Sequence, residues 1–138
     1  MTESLQLYEA LVEQAPDAII FADSDGMIRV WNSGAEAIFG HSPAEALKRS
    51  LDLIIPEDLR KAHWAGFQRA MSLGHTHFGR KVMTTRSVHQ SGRRIYVALS
   101  FAIIHDGAGA ALGAMAQARD VTAEYLEEKA RRMRWHMD

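Results

Sequence analysis

The chain has 138 residues, 47% hydrophobic and 24% charged, which fits one domain with room for a buried core. Sixteen Lys and Arg against seventeen Asp and Glu leave a formal net charge of -1, so no overall field draws it to nucleic acid or an anionic membrane. It has no cysteine, which removes disulfides, thiolate metal sites, thiol nucleophiles and any photoreceptor that works through a cysteinyl adduct.

The first residues, MTESLQLYEALVEQ, lack a basic stretch followed by an apolar run. Nowhere do roughly eighteen apolar residues follow one another, as a membrane span requires. A cytoplasmic location is expected. Leu5, Tyr8, Leu11 and Val12 predict a short amphipathic helix that ends before Pro16, because proline pushes its predecessor out of the α region. Residues 1–14 form an N-terminal cap on this reading. Ala18 to Ala22 and Met27 to Trp31 read as strands joined by Asp23-Ser24-Asp25-Gly26, a hairpin turn with glycine at hand for positive φ.

Short helices follow. Asn32 or Ser33 caps Ala35 to Phe39 with Gly40 as the stop, and Ser42-Pro43 with Glu45 opens another. A longer helix is expected after Pro56, with Glu57 and Asp58 in its first turn, fading near Gly74. Leu59, His63, Phe67 and Met71 recur at helical spacing along it, which aims an imidazole at the core. Phe78 to His89 and Arg94 to His105 are extended runs joined by Gln90-Ser91-Gly92-Arg93, and Ala111 to Arg119 is the last. The expected fold is α+β: a five-stranded antiparallel sheet with short helices on one face and flanking terminal helices. Residues 15–122 form its body. In 123–138, Asp120 or Thr122 caps a helix in which Leu126, Ala130, Met133 and Met137 follow coiled-coil spacing; packing on the home sheet and pairing with a second chain are both open.

No glycine-rich phosphate loop, cysteine nucleophile or Ser-His-Asp arrangement stands out, and Asp23 and Asp25 belong to a turn. The chain is not expected to be an enzyme; catalytic output is expected from another chain. His75-Thr76-His77 has no nearby acidic or cysteine partner to complete a metal site, so a solvated loop is expected there.

Ala15-Pro16-Asp17-Ala18-Ile19-Ile20, Asp25-Gly26, Trp31-Asn32, Gly40, Ile54-Ile55-Pro56-Glu57-Asp58, Gly92 and Arg119-Asp120-Val121-Thr122, in this order and over residues 9 to 123, resemble PAS sensor domains. The segment Leu59 to His63 resembles the family's haem-bearing oxygen-sensor branch, which includes a nitrogen-fixation sensor kinase and an oxygen-sensing phosphodiesterase. That resemblance implies haem b with His63 as proximal iron ligand, a diatomic gas (O2, CO or NO) or redox state as the signal, a homodimer, and a downstream regulator or kinase. It sets Arg69 and His77 near the haem propionates and Leu99 and Phe101 on the distal apolar wall, and Phe78 is expected among the cofactor-binding residues. Met83 stands where the branch has the distal arginine that hydrogen-bonds oxygen, which makes its thioether a candidate sixth ligand. The phosphodiesterase takes a methionine ligand from two positions earlier, where this chain has Lys81, and Arg80 and Arg86 are neighbours placed to reach inward. The alternatives are a cofactor-free interaction module and a sensor of a small organic ligand.

Overall fold

The computed structural model describes residues 2–137, with only the backbone at 136 and 137. Met1, Asp138 and the side chain of Met137 lie outside the described residues. Helix α1 (Glu3–Gln14) begins where Thr2 Oγ1 accepts from the Leu5 amide and ends ahead of Pro16. Strands β1 (Ala18–Asp23) and β2 (Ile28–Trp31) form the expected hairpin. Asp23 closes its turn by accepting from the amides of Asp25 and Met27, and Gly26 supplies a φ of +79°.

Asn32 caps α2 (Ser33–Phe39), which ends at Gly40 in the left-handed region. Helix α3 (Pro43–Ala46) carries the full reciprocal capping box of Ser42 and Glu45. Two 3-10 turns, Leu51–Ile54 and Glu57–Leu59, then lead into α4 (Arg60–Leu73). The long helix therefore starts later than expected, because the acidic residues after Pro56 form the tighter turn.

Strands β3 (Met83–Val88), β4 (Arg94–His105) and β5 (Ala111–Asp120) complete a five-stranded antiparallel sheet in the order β2-β1-β5-β4-β3. β3 begins five residues after the expected Phe78. Residues 77–80 turn instead, with Gly79 at φ +59° and the Lys81 amide bonded to the Phe78 carbonyl, so the apolar stretch never reaches β4.

The core gathers at one end of the sheet's inner face. Ala18 and Ile20 of β1, Ile95 and Val97 of β4, and Ala118 of β5 pack against Trp31, Ala35 and Phe39. Further along the same face of β4, Leu99 and Phe101 are only half-buried, as is Met83 opposite Leu99. Helix α5 (Thr122–Met137) is tied down only at its start. Tyr125 stacks on Tyr96 with centroids 3.9 Å apart, Val121 N donates to Tyr96 O, and Tyr96 N donates to Thr122 Oγ1, which itself donates to Asp120 Oδ1. Beyond that turn Leu126, Ala130, Met133 and Trp135 are exposed, so the described part of the stripe does not pack back on its own sheet.

Candidate functional site

Helix α4 lays one stripe on the domain: His63, Trp64, Phe67, Ala70 and Met71 are half-buried, while Lys61, Ala65, Gln68 and Arg69 between them face solvent. Trp64 is its anchor. The indole Nε1 donates to Asp52 Oδ1 at 2.8 Å, and the ring lies on Gly26, where a Cβ would come within 2.3 Å of Cη2. Only glycine allows that contact, and nothing in the local pattern around Trp64 announces it.

The His63 ring meets Trp64 edge-on at a centroid distance of 4.7 Å and lies 6.2 Å from Phe67. Its Nδ1 is buried without a hydrogen-bond partner. Leaving such an atom unpaired costs about 1 to 3 kcal/mol, so an orphan of this kind calls for a reason. Burial pushes the imidazole below its ordinary pKa of 6.5, with the Asp52 carboxylate pulling the other way. His63 is accordingly neutral near pH 7, the form that offers a lone pair to a metal.

The sheet face toward the helices carries Met83 directly opposite Leu99, then Phe101 two residues on. Their partners across β5 are Ala118 opposite Leu99, Ala116 opposite Phe101 and Ala114 opposite Ile103. Opposed residues share a face, so β5 gives this half of the interior a floor of methyl groups. His63, Met83, Leu99 and Phe101 thus belong to the interior. Arg69, His77 and Phe78 lie outside it: Arg69 is exposed on α4, and the exposed His77 and Phe78 meet edge to face in the following turn, with centroids 5.3 Å apart. No group of three His, Cys, Asp or Glu among the described residues is placed to hold a metal ion, and His75 and His77 are exposed.

Arg86 does not reach inward. Three residues from Met83, it points to the opposite face, where it stands across from Tyr96 and donates to Asp58 Oδ2 at 2.5 Å. That parity was readable, but the valines at 82 and 88 gave the strand a second apolar face and hid it.

A family model described as PAS fold matches residues 6–121. The chain is 33% identical over 84 residues to an uncharacterized protein of Azorhizobium caulinodans, covering 60% of this chain and 11% of that one. Over 68 residues it is 29% identical to the sensor protein FixL of Bradyrhizobium diazoefficiens, covering 49% of this chain and 14% of FixL. It therefore spans little more than a tenth of the length of these relatives. Among solved structures, the PAS domain of a Colwellia psychrerythraea protein superposes with a TM-score of 0.76 at 20% identity, over 88% of this chain and 99% of that one. An RNA-binding light-oxygen-voltage receptor gives 0.74 at 20% identity, over 94% of this chain and 38% of that one. At these identities the superpositions speak for the fold alone.

Proposed function

The chain belongs to the PAS family of sensor and signalling domains, and on that premise we propose that its input is a haem b held by His63. The observation that carries this reading is the neutral, half-buried imidazole with an orphaned Nδ1, set on the half-buried stripe of α4, a helix that packs against β5. FixL, a sensor protein by name, is a relative over half the chain and adds support. The residues fit the group in donor chemistry and lining. Met83, Leu99 and Phe101 with the β5 alanines offer an apolar wall free of charge, and Met83 adds a thioether on that wall. Room for a macrocycle would require α4, which has no fully buried residue, to move outward about its anchor at Trp64.

Haem, when bound, supplies an iron whose sixth position takes a diatomic gas or changes with redox state. The protein's part would be to hold that group through the His63 nitrogen, exclude water with Leu99 and Phe101, and present Arg69 as positive charge and His77 as a hydrogen-bonding partner for its carboxylates. A shift of the wall then reaches the output through β4, since Leu99 lies three residues beyond Tyr96, the anchor of α5. The states differ usefully only if the ligand favours one sheet arrangement by a real free-energy gap. The exposed apolar side chains of α5 and of α1, among them Leu11, Met133 and Trp135, support self-association and a downstream regulator or kinase as partner. Flavin is a weaker reading, despite light-oxygen-voltage domains among the relatives, because the chain has no cysteine and this wall offers few polar partners to an isoalloxazine.

Titration of the purified protein with haemin, followed by reduction and exposure to carbon monoxide and oxygen, tests the proposal. A saturable one-to-one Soret band that His63→Ala abolishes in a still-folded domain supports it. Full haem occupancy in that variant, or no specific band in the wild type, overturns it and leaves a cofactor-free module or an organic-ligand sensor.

A further inference from the structure

The near-neutral total charge conceals a separation along the chain. Residues 1–58 hold eleven Asp or Glu and three Lys or Arg, whereas residues 59–105 hold no acidic residue and eight Lys or Arg. Beside the edge strand β3 these two halves meet around a recess of about 290 Å3. Three consecutive strand residues, Arg86, Ser87 and Val88, form one side, and residues 55–58 form the other. Gly92 of the β3–β4 turn and Arg94, the first residue of β4, complete it with Arg60.

Its three guanidiniums are differently committed. Arg60 is fixed by the carbonyl oxygens of Ile55 and Asp52 at 3.1 and 3.3 Å and is paired with the Asp52 carboxylate at 3.8 Å, so its charge is held in place and largely compensated. Arg86 is taken by the carboxylate of Asp58, whose side chain is 62% exposed. Arg94 forms no ion pair among the described residues. The recess thus already binds one oxyanion, supplied by the chain itself, and has a second arginine free.

We infer that this recess is a second ligand site, for a phosphate-type dianion that takes Arg86 from Asp58 and bridges it to Arg94. The competition favours a tetrahedral dianion because it presents oxygens to both guanidiniums at once, whereas Asp58 hydrogen-bonds to Arg86 and feels Arg94 only through space. An extended peptide is a poor fit, since Ser87 Oγ already donates to the Ile54 carbonyl and the chain at 54–58 covers the strand edge. The volume is at the lower limit of small-molecule sites, matching a phosphate group and a few waters. The site sits beside the output: Arg86 stands across β3–β4 from Tyr96, to which α5 is fixed. Release of Asp58 would also free the turn that leads into α4, so an anion here would act on both the α4 helix and the terminal helix.

The test is titration with inorganic phosphate at constant ionic strength, followed through the amide signals of Ser87 and Gly92 and the arginine Nε–H signals. Saturable binding is expected. Arg94→Ala should weaken it roughly tenfold, the scale of losing one charged hydrogen-bonding partner. Asp58→Asn should tighten it by removing the internal competitor, and Arg93→Ala, which does not line the recess, should leave it unchanged. A response that never saturates, equal weakening by Arg93→Ala and Arg94→Ala, or no change in Asp58→Asn would each overturn the site and reduce it to a general basic surface. Phenyl phosphate run in parallel separates the sources. Equal affinity marks a site for free phosphate and tighter binding of the ester marks a phosphate-bearing metabolite, both of which support the inference.

Discussion

Replacing Asn32 with alanine should come close to unfolding the domain. Asn32 is fully buried, and its side chain makes four hydrogen bonds to the backbone of three separate elements. Oδ1 accepts from Ile19 N of β1 at 2.8 Å and from Ala35 N of α2 at 3.0 Å, while Nδ2 donates to Val12 O of α1 at 2.8 Å and to Asp17 O at 3.1 Å. Loss of the helix cap alone costs about 1 kcal/mol. The Ile19 amide and the two carbonyls are then left in a site built to exclude water, and each buried orphan costs about 1 to 3 kcal/mol, less where the structure relaxes. A total of about 3 to 5 kcal/mol follows, against a native stability of roughly 5 to 15 kcal/mol. For a chain of this length that is a fall in Tm of roughly 10 to 20 °C. Urea melts followed by circular dichroism give the free energy, and Asn32→Ser separates the terms, because serine restores the cap and not the amide's two donors. A loss under about 1 kcal/mol in Asn32→Ala would refute the claim that this side chain joins α1, β1 and α2.

Other consequences are equally open to measurement. Because burial lowers the pKa of His63, the unfolded chain binds more protons there than the native one. Its contribution to stability is therefore complete above the ordinary value of 6.5 and is lost as pH falls through the folded value. Denaturant melts between about pH 7.5 and about pH 5 should lose stability less steeply in His63→Ala than in the wild type; the residual slope belongs to groups such as His89, also lowered by burial, and identical slopes would contradict the burial argument. Gly26→Ala combines a left-handed backbone with a Cβ driven into Trp64, so it should cost more than about 1 kcal/mol and shift the Trp64 indole N–H signal as its bond to Asp52 breaks. An unmoved indole signal would mean that Trp64 does not seat α4 on the hairpin. Tyr125→Ala removes the stacking on Tyr96, worth about 0.5 to 1.5 kcal/mol, and should speed hydrogen exchange in the first turn of α5 without altering that of β1.

What the sequence made legible was local chemistry with a fixed spacing. Asp25-Gly26 marked the hairpin, Ser42-Pro43 with Glu45 marked a capping box, and the period of His63, Phe67 and Met71 identified the inward stripe of α4. Each depends on residues within four positions of one another, so pattern alone constrains it. The failures have the opposite character. Asn32 was legible as a cap, but its bonds to Val12, Asp17 and Ile19 span 13 to 20 residues and exist only once α1 and β1 have docked. Phe78 to Val82 had the composition of a strand, yet a turn at Gly79 leaves those residues with no neighbour to pair with. Trp64 carried no mark of its contact with Gly26, 38 positions away in the chain.

The same distinction explains why Tyr96 is where both proposed inputs converge. On the inner side, the β4 backbone that bears Leu99 runs straight into it; on the outer side, Arg86 faces it across β3. Its own amide and carbonyl are spent on Thr122 and Val121, so β4 cannot shift at this position without carrying the first turn of α5 along. Beyond that turn the helix leaves the sheet with its apolar side chains uncovered. A small displacement at the anchor is therefore amplified along a lever some twelve residues long, at about 1.5 Å per residue, whose described apolar side chains Leu126, Met133 and Trp135 are exposed. Thr122→Val isolates this joint, since it removes the side-chain oxygen that Tyr96 N reaches while keeping the residue's volume. The sheet should stay folded while α5 loses its fixed direction, visible as a fall in backbone order parameters from Tyr125 onward. Retained order along α5 in that variant would place the transmission elsewhere.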